Sequence, residues 1–325
     1  MSVGAFAKPI CTYSVDRTRQ GGRFYLTKQV FHCGFDNKMA VYRDYTQEEL
    51  DSQYDQRTLV ADPSPWIAQC AAASITAKET FNCYQNISYG GQSDELVDIF
   101  LPEGFGPWPL VIYCHGGAWK ALSKDESGFP AIPLVPSGIA VAALNFGLAP
   151  DVSLDTIVDQ VRRAVVHLQS NAATWHLDPD RFFAAGHSSG AHLASLLAVA
   201  DWATLCSAPG LIKGLIAASG PYDLEPVRLS ARNDYLFLDE QTALALSPQS
   251  YLSANLPPAI FFWGGGELEE FQRQSRDLAD AWASYGPQVE RIFLEDLNHF
   301  QVGAEFLNTE SAPVKAMIKM IHGRP

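Results

Sequence analysis

A strand-like apolar stretch at 182–185 is followed by Gly186-His187-Ser188-Ser189-Gly190. A helical pattern begins at once with Ala191-His192-Leu193-Ala194. A serine flanked at two residues by glycines, where a strand turns directly into a helix, leaves few folds open to the chain. The turn needs strained backbone angles at Ser188 so that its hydroxyl stands clear of the sheet. Gly186 and Gly190 leave room where any side chain would meet the neighbouring strand and helix. The helix N-terminus beneath offers a favourable potential to a developing anion. Ser189 is the rival serine, but the glycines are out of register for it. The bland alternative is a Gly/Ser-rich helix cap.

The rest of the chain fits a sheet around that turn. Apolar, β-branched runs at 96–101, 109–114, 139–144, 182–185, 211–218, 259–263 and 289–294 alternate with amphipathic stretches at 154–169, 191–200 and 270–284, with a last one after Gln301. Continuously apolar strands alternating with helices predict an α/β chain with a mostly parallel sheet covered by helices on both faces. Joined to the serine elbow, this resembles the α/β-hydrolase fold, which implies an eight-stranded sheet. Residues 1–75 are polar and mixed, with helical pattern only at 46–57. They read as an N-terminal extension before a catalytic domain at 76–325. Working residues should then sit on loops at the carboxyl ends of the strands.

Composition narrows the partners. With 23 basic and 36 acidic residues, the net charge of −13 repels phosphate backbones and anionic lipid heads, so neither nucleic acid nor a membrane is an expected partner. No run approaches the roughly 18 apolar residues of a membrane span. No secretory leader is visible at the start. Six scattered cysteines without a CxxC pair suggest reduced thiols and a cytoplasmic setting. No histidine or cysteine spacing suggests a metal, and no cofactor is expected.

Three further loops complete the chemistry. After the run at 109–114 comes His115-Gly116-Gly117-Ala118-Trp119, a glycine-rich loop whose amides at Gly116, Gly117 and Ala118, together with that of Ser189, would form an oxyanion hole. His115 precedes the glycines and reads as a brace. After 259–263 comes Gly264-Gly265-Gly266-Glu267. Glu267 is the first carboxylate past the turn, while Glu269 and Glu270 suit the opening of the next helix. After 289–294, His299 is the histidine placed to act as base. The order Ser188, Glu267, His299 is the triad order of this fold. His187 and His192 flank the nucleophile too closely to take its proton, while His176 and His32 lie elsewhere.

Taken together, the loop at 115–119, the elbow with its helix at 186–193 and the segment Gly266-Glu267-Leu268-Glu269-Glu270-Phe271-Gln272-Arg273-Gln274-Ser275 resemble the kynurenine formamidase (arylformamidase) branch of α/β-hydrolases. So does the stretch at 45–57, with Glu48-Glu49-Leu50 and Gln53-Tyr54. The resemblance spans about 43–299. It implies hydrolysis of the N-formyl group of formylkynurenine, or of related aryl amides and esters, by a Ser–Asp/Glu–His triad. Two departures stand out: Ala118 occupies the place of a tyrosine usual in that branch, and the acid is Glu267 where Asp is common. A sister, lipase-like branch carries a third glycine after HGG and Asp before the serine, where this chain has Ala118 and His187.

Residue type alone places Trp119, His187, Phe146, Tyr222 and Phe300 around a pocket for an aryl ester, amide or carbamate. Phe24, Tyr25, Phe31 and Phe35 suggest that residues 1–40 form a cap or a homodimer contact. Two other readings compete with a formamidase: a general carboxylesterase, and a catalytically dead fold used for binding.

Overall fold

The computed structural model describes residues 14–20, 23–29 and 39–323. It divides into two compact units, Met1–Ala40 and Val41–Pro325. In the first, β1 (Ser14–Gln20) and β2 (Arg23–Gln29) form an antiparallel hairpin with Gln20 opposite Arg23. Phe31, Phe35 and His32 lie outside the described residues.

The second unit is built on one eight-stranded sheet. Its strands are β3 (Asn82–Ser88), β4 (Leu96–Leu101), β5 (Trp108–Cys114), β6 (Ala140–Leu144), β7 (Leu177–His187), β8 (Ile212–Ala218), β9 (Ala259–Gly264) and β10 (Val289–Leu294). The order is β10-β9-β8-β7-β5-β6-β4-β3. β4 runs antiparallel to β3 and β6, and every other pairing is parallel. The central strands read as unbroken apolar runs because both faces are covered. On one face Ile112, Leu215 and Phe261 pack under the helices Leu154–Ser170, Ser189–Ala198 and Glu269–Ser284. On the other, Val111, Tyr113, Ile216 and Phe262 pack under Ser64–Thr80 and Ala312–His322.

The boundary expected at residue 75 differs from the structure, in which the compact unit already begins at Val41. Leu50 is fully buried and Tyr54 nearly so, both within the main core, and Ala77 is buried in the second. Single apolar residues spaced along a polar stretch are enough to dock short helices, though too few to advertise them.

β4 carries a charge into this core. Asp98, with no solvent exposure, sits 3.0 Å from Lys78 Nζ and 3.1 Å from Lys124 Nζ and accepts the amide of Asn86 at 2.8 Å. The pairing ties the helix Ser64–Thr80 and the loop after β5 to the antiparallel end of the sheet. Removing one partner of a buried pair strands the others. Asp98→Ala is therefore expected to lower the unfolding free energy by about 3–5 kcal/mol, read by urea denaturation. A loss below about 1 kcal/mol would mean that the lysines reach solvent without cost.

Candidate active site

Four loops at the carboxyl ends of β5, β7, β9 and β10 meet at one point. β7 ends at His187, and Ser188 follows at φ 56, ψ −128. Its amide donates to the carbonyl of Ala218 at 2.8 Å, so the strained residue is anchored to β8. A Cβ on Gly190 would lie 2.0 Å from the carbonyl oxygen of Cys114, and one on Gly186 2.3 Å from that of Gly190. Only glycines let the helix Ser189–Ala198 start this close to β5.

The Ser188 hydroxyl donates to Nε2 of His299 at 2.9 Å. Nδ1 of His299 donates to Glu267 Oε1 at 2.5 Å. The other carboxylate oxygen of Glu267 accepts from Ser219 Oγ at 2.7 Å and from the Gly264 amide at 2.8 Å. All three side chains are buried. Asn298 caps the helix His299–Ala304 by accepting the amides of Phe300 and Gln301, which fixes the histidine at a helix start. Ser219, just past β8, has no sequence motif to announce it, yet it holds one oxygen of the Glu267 carboxylate.

The loop after β5 turns back over Ser188 through three positive φ values: Gly117 at 96, Ala118 at 54 and Trp119 at 60. A Cβ on Gly116 would lie 3.4 Å from Ser188 Cβ, so the loop backbone lies against the serine. Among the described residues, the amides of Gly116, Gly117, Ala118 and Ser189, the four expected at an oxyanion hole, donate to no backbone carbonyl. They remain available to an incoming oxygen. His115 is a brace: it stacks on Phe146 at 4.1 Å and its Nδ1 donates to the Gly116 carbonyl at 2.8 Å.

A cavity of about 550 Å³ opens on Ser188 and His299. Of the five residues expected around it, His187 and Phe300 line it, and Trp119, Phe146 and Tyr222 do not. The positive φ at Trp119 turns its ring inward, edge-on to His192 at 5.3 Å. Phe146 is spent on His115, and Tyr222 packs edge-on to Phe261 at 6.1 Å. The aromatic wall comes instead from Tyr54, from Tyr235, and from Trp66 stacked on Phe300 at 6.5 Å. The segment supplying Tyr54 also steadies the acid loop. Gln56 Oε1 accepts the Leu268 amide at 3.2 Å, and Gln53 Oε1 accepts the Glu270 amide at 3.1 Å. These bonds cap the helix Glu269–Ser284, whose own N-cap side chain makes none.

Burial holds the neighbouring histidines neutral. His187, tilted against His299 with ring centres 4.4 Å apart, is pushed well below the usual imidazole range by burial and by the nearby His299. Burial also pushes His115 and His192 down to about 4. His192 Nε2 donates to the Leu246 carbonyl at 2.7 Å, so it is spoken for away from Ser188. The described residues contain no group of three His, Cys, Asp or Glu arranged to hold a metal. Nor does any helix among them have the length and apolarity to cross a membrane.

The family model BD-FAE matches residues 97–281. The chain is 32% identical over 305 residues to a kynurenine formamidase of Danio rerio, covering 87% of this chain and 99% of that one. It is 25% identical to an isoprenylcysteine alpha-carbonyl methylesterase of Arabidopsis thaliana, covering 66% of this chain and 56% of the plant protein. Among solved structures it superposes on an esterase of Pyrobaculum calidifontis with a TM-score of 0.65 at 18% identity. That alignment covers 82% of this chain and 97% of the archaeal one and supports a shared fold.

The neutral histidines make stability depend on pH with a definite sign. Unfolded, each histidine takes up a proton near pH 6.5, whereas His115 and His192 in the fold resist until about 4. Their cost is absent above pH 6.5 and grows as pH falls toward 4, reaching about 3 kcal/mol for each. His192→Gln, which keeps a donor for Leu246, is expected to flatten the fall of the urea midpoint between pH 6.5 and 4.5. An unchanged slope would assign the acid sensitivity to other groups.

Proposed function

Since the chain belongs to the BD-FAE family of α/β-hydrolases and is a formamidase-like hydrolase, we propose that Ser188 forms an acyl-enzyme with its substrate, an aryl-type amide, ester or carbamate. The observation that carries this reading is the unbroken relay from Ser188 Oγ through His299 to Glu267. Glu267 keeps His299 in the tautomer with the proton on Nδ1, leaving Nε2 free to accept.

As the serine oxygen attacks the carbonyl, its proton passes to Nε2. The carbonyl oxygen becomes an oxyanion facing the amides of Gly117, Ala118 and Ser189, each donor worth about 3 kcal/mol of barrier in comparable sites. The imidazolium, stabilised by Glu267, then gives its proton to the departing amine or alcohol as the carbon–heteroatom bond breaks. Water, deprotonated by the same nitrogen, attacks the acyl-enzyme. Its collapse releases the acid and restores the serine. For a formamide the acid is formate and the leaving group an aryl amine. An assembled relay weighs against a catalytically silent binding fold. The cytoplasmic setting suggested by the scattered cysteines belongs to the same proposal; the four described, Cys70, Cys83, Cys114 and Cys206, are free thiols.

The cavity also favours a second reading. About 550 Å³ is far more than a formyl group and one aryl ring need, and Ala118 leaves space where formamidases usually carry a tyrosine. A carboxylesterase without formamidase activity would use the same relay on a larger ester.

Turnover of N-formylkynurenine and of an aryl acetate separates these readings. Wild type is expected to cleave both, Ser188→Ala to lose both by about 10⁴-fold or more in kcat/KM, and Glu267→Gln by about 10³–10⁴-fold. Cleavage of the ester alone would support the carboxylesterase. Activity surviving in Ser188→Ala would remove the serine from the mechanism.

A further inference from the structure

The cavity's charges are unevenly used. Among its acidic lining residues, Asp55 is paired with Arg57 at 2.7 Å, Asp51 accepts from Gln47 and from the Ala231 amide, and Glu126 closes a capping box on Ser123. The two other cations of the lining, Arg232 and Lys120, make no ion pair with a carboxylate among the described residues; Asp55 acts on Arg232 from beyond ion-pair distance and is itself held by Arg57. Arg232 is held in place by neutral groups. Nη2 donates to the Tyr54 carbonyl at 2.8 Å, and the guanidinium carbon lies 5.3 and 5.7 Å from the ring centres of Tyr54 and Phe271. Its Nη1 is buried with no hydrogen-bond partner. Lys120 Nζ lies 4.1 Å above the ring of Tyr235, three residues beyond Arg232, and Tyr235 in turn donates to the Ala118 carbonyl at 3.2 Å.

A guanidinium taken out of water with no counter-ion in contact is costly unless something repays the desolvation. Burial lowers the proton affinity of Arg232 without removing its charge. Aromatic faces hold the cation in position but leave its charge unneutralised. Phe271, on which the guanidinium rests, is itself edge-on to His299 at 4.9 Å, so one ring separates the cation from the catalytic imidazole. Such a group, fixed in place with no carboxylate in contact, suits an anion that arrives with the substrate.

We propose that Arg232 and Lys120, on either side of Tyr235, form a specificity subsite for a carboxylate carried by the aryl portion of the substrate, with Arg232 as the main contact. The inference rests on the hydrolase reading and narrows its substrates to anionic aryl compounds. A planar carboxylate matches the guanidinium fork, and the ammonium adds a point charge at the other edge.

The test uses 4-acetoxybenzoate and 4-acetoxybenzamide, esters with the same acyl group whose aryl portions differ in charge. Wild type is expected to favour the benzoate by at least tenfold in kcat/KM. Arg232→Met should lower that ratio by roughly 10- to 100-fold, Arg232→Lys should restore part of it, and Lys120→Met should lower it a few-fold. Binding of 4-hydroxybenzoate against 4-hydroxybenzamide to wild type, read by calorimetry, needs neither turnover nor a folded variant and should show the same preference. Equal affinity for the two, or a ratio unmoved in Arg232→Met, overturns the subsite. Loss of benzamide turnover in Ser188→Ala reports on the hydrolase reading independently.

Discussion

The site depends on a backbone conformation that serine adopts reluctantly. At φ 56 and ψ −128, Ser188 carries strain of order 1–3 kcal/mol, and that conformation persists only because its surroundings over-determine it. β7 is paired on both sides, the serine amide is tied to Ala218, and Gly190 is pressed against the carbonyls of Cys114 and His115. The same contact sets the distance between the helix start at Ser189 and the loop after β5. Ser188 and the amides proposed to receive the oxyanion are therefore placed by one close approach of two backbones, with no side chain left to adjust it.

Electrostatics then gives each buried group its role. Glu267 is a desolvated carboxylate satisfied by three donors: His299, Ser219 and Gly264. These donors hold the carboxylate in one orientation, with Oε1 facing Nδ1 of His299. The other histidines near the elbow hydrogen-bond no carboxylate, and burial lowers their proton affinity. His299 differs from these three in its hydrogen bond to Glu267.

The elbow, the acid turn and the final histidine were legible because each follows an apolar strand and is punctuated by glycine or a turn, signals local to a few residues. β3 escaped notice because it lies at the sheet edge, mostly exposed, and reads Asn-Cys-Tyr-Gln-Asn-Ile-Ser, with a register shift between Tyr84 and Ile87. The pocket was half legible. His187 and Phe300 adjoin Ser188 and His299 in sequence, and adjacency carried them to the cavity. Trp119 adjoins the glycine loop equally closely, yet a left-handed turn sends its ring into the core. Tyr54, Trp66 and Arg232 reach the cavity by long-range packing, for which no short pattern exists. Ser219 could have been suspected only from its place at a strand's carboxyl end.

The glutamines at 53 and 56 give the stretch before the sheet a second significance. Their carbonyl oxygens cap the helix that begins just after Glu267, while Tyr54 between them faces the cavity. The cavity wall and the strut that steadies the loop carrying Glu267 are one short piece of chain. Substrate range and catalytic geometry in this fold therefore cannot drift apart freely. A transplanted wall would have to bring matching acceptors for the amides of Leu268 and Glu270, or the new pocket would open onto a loosened acid.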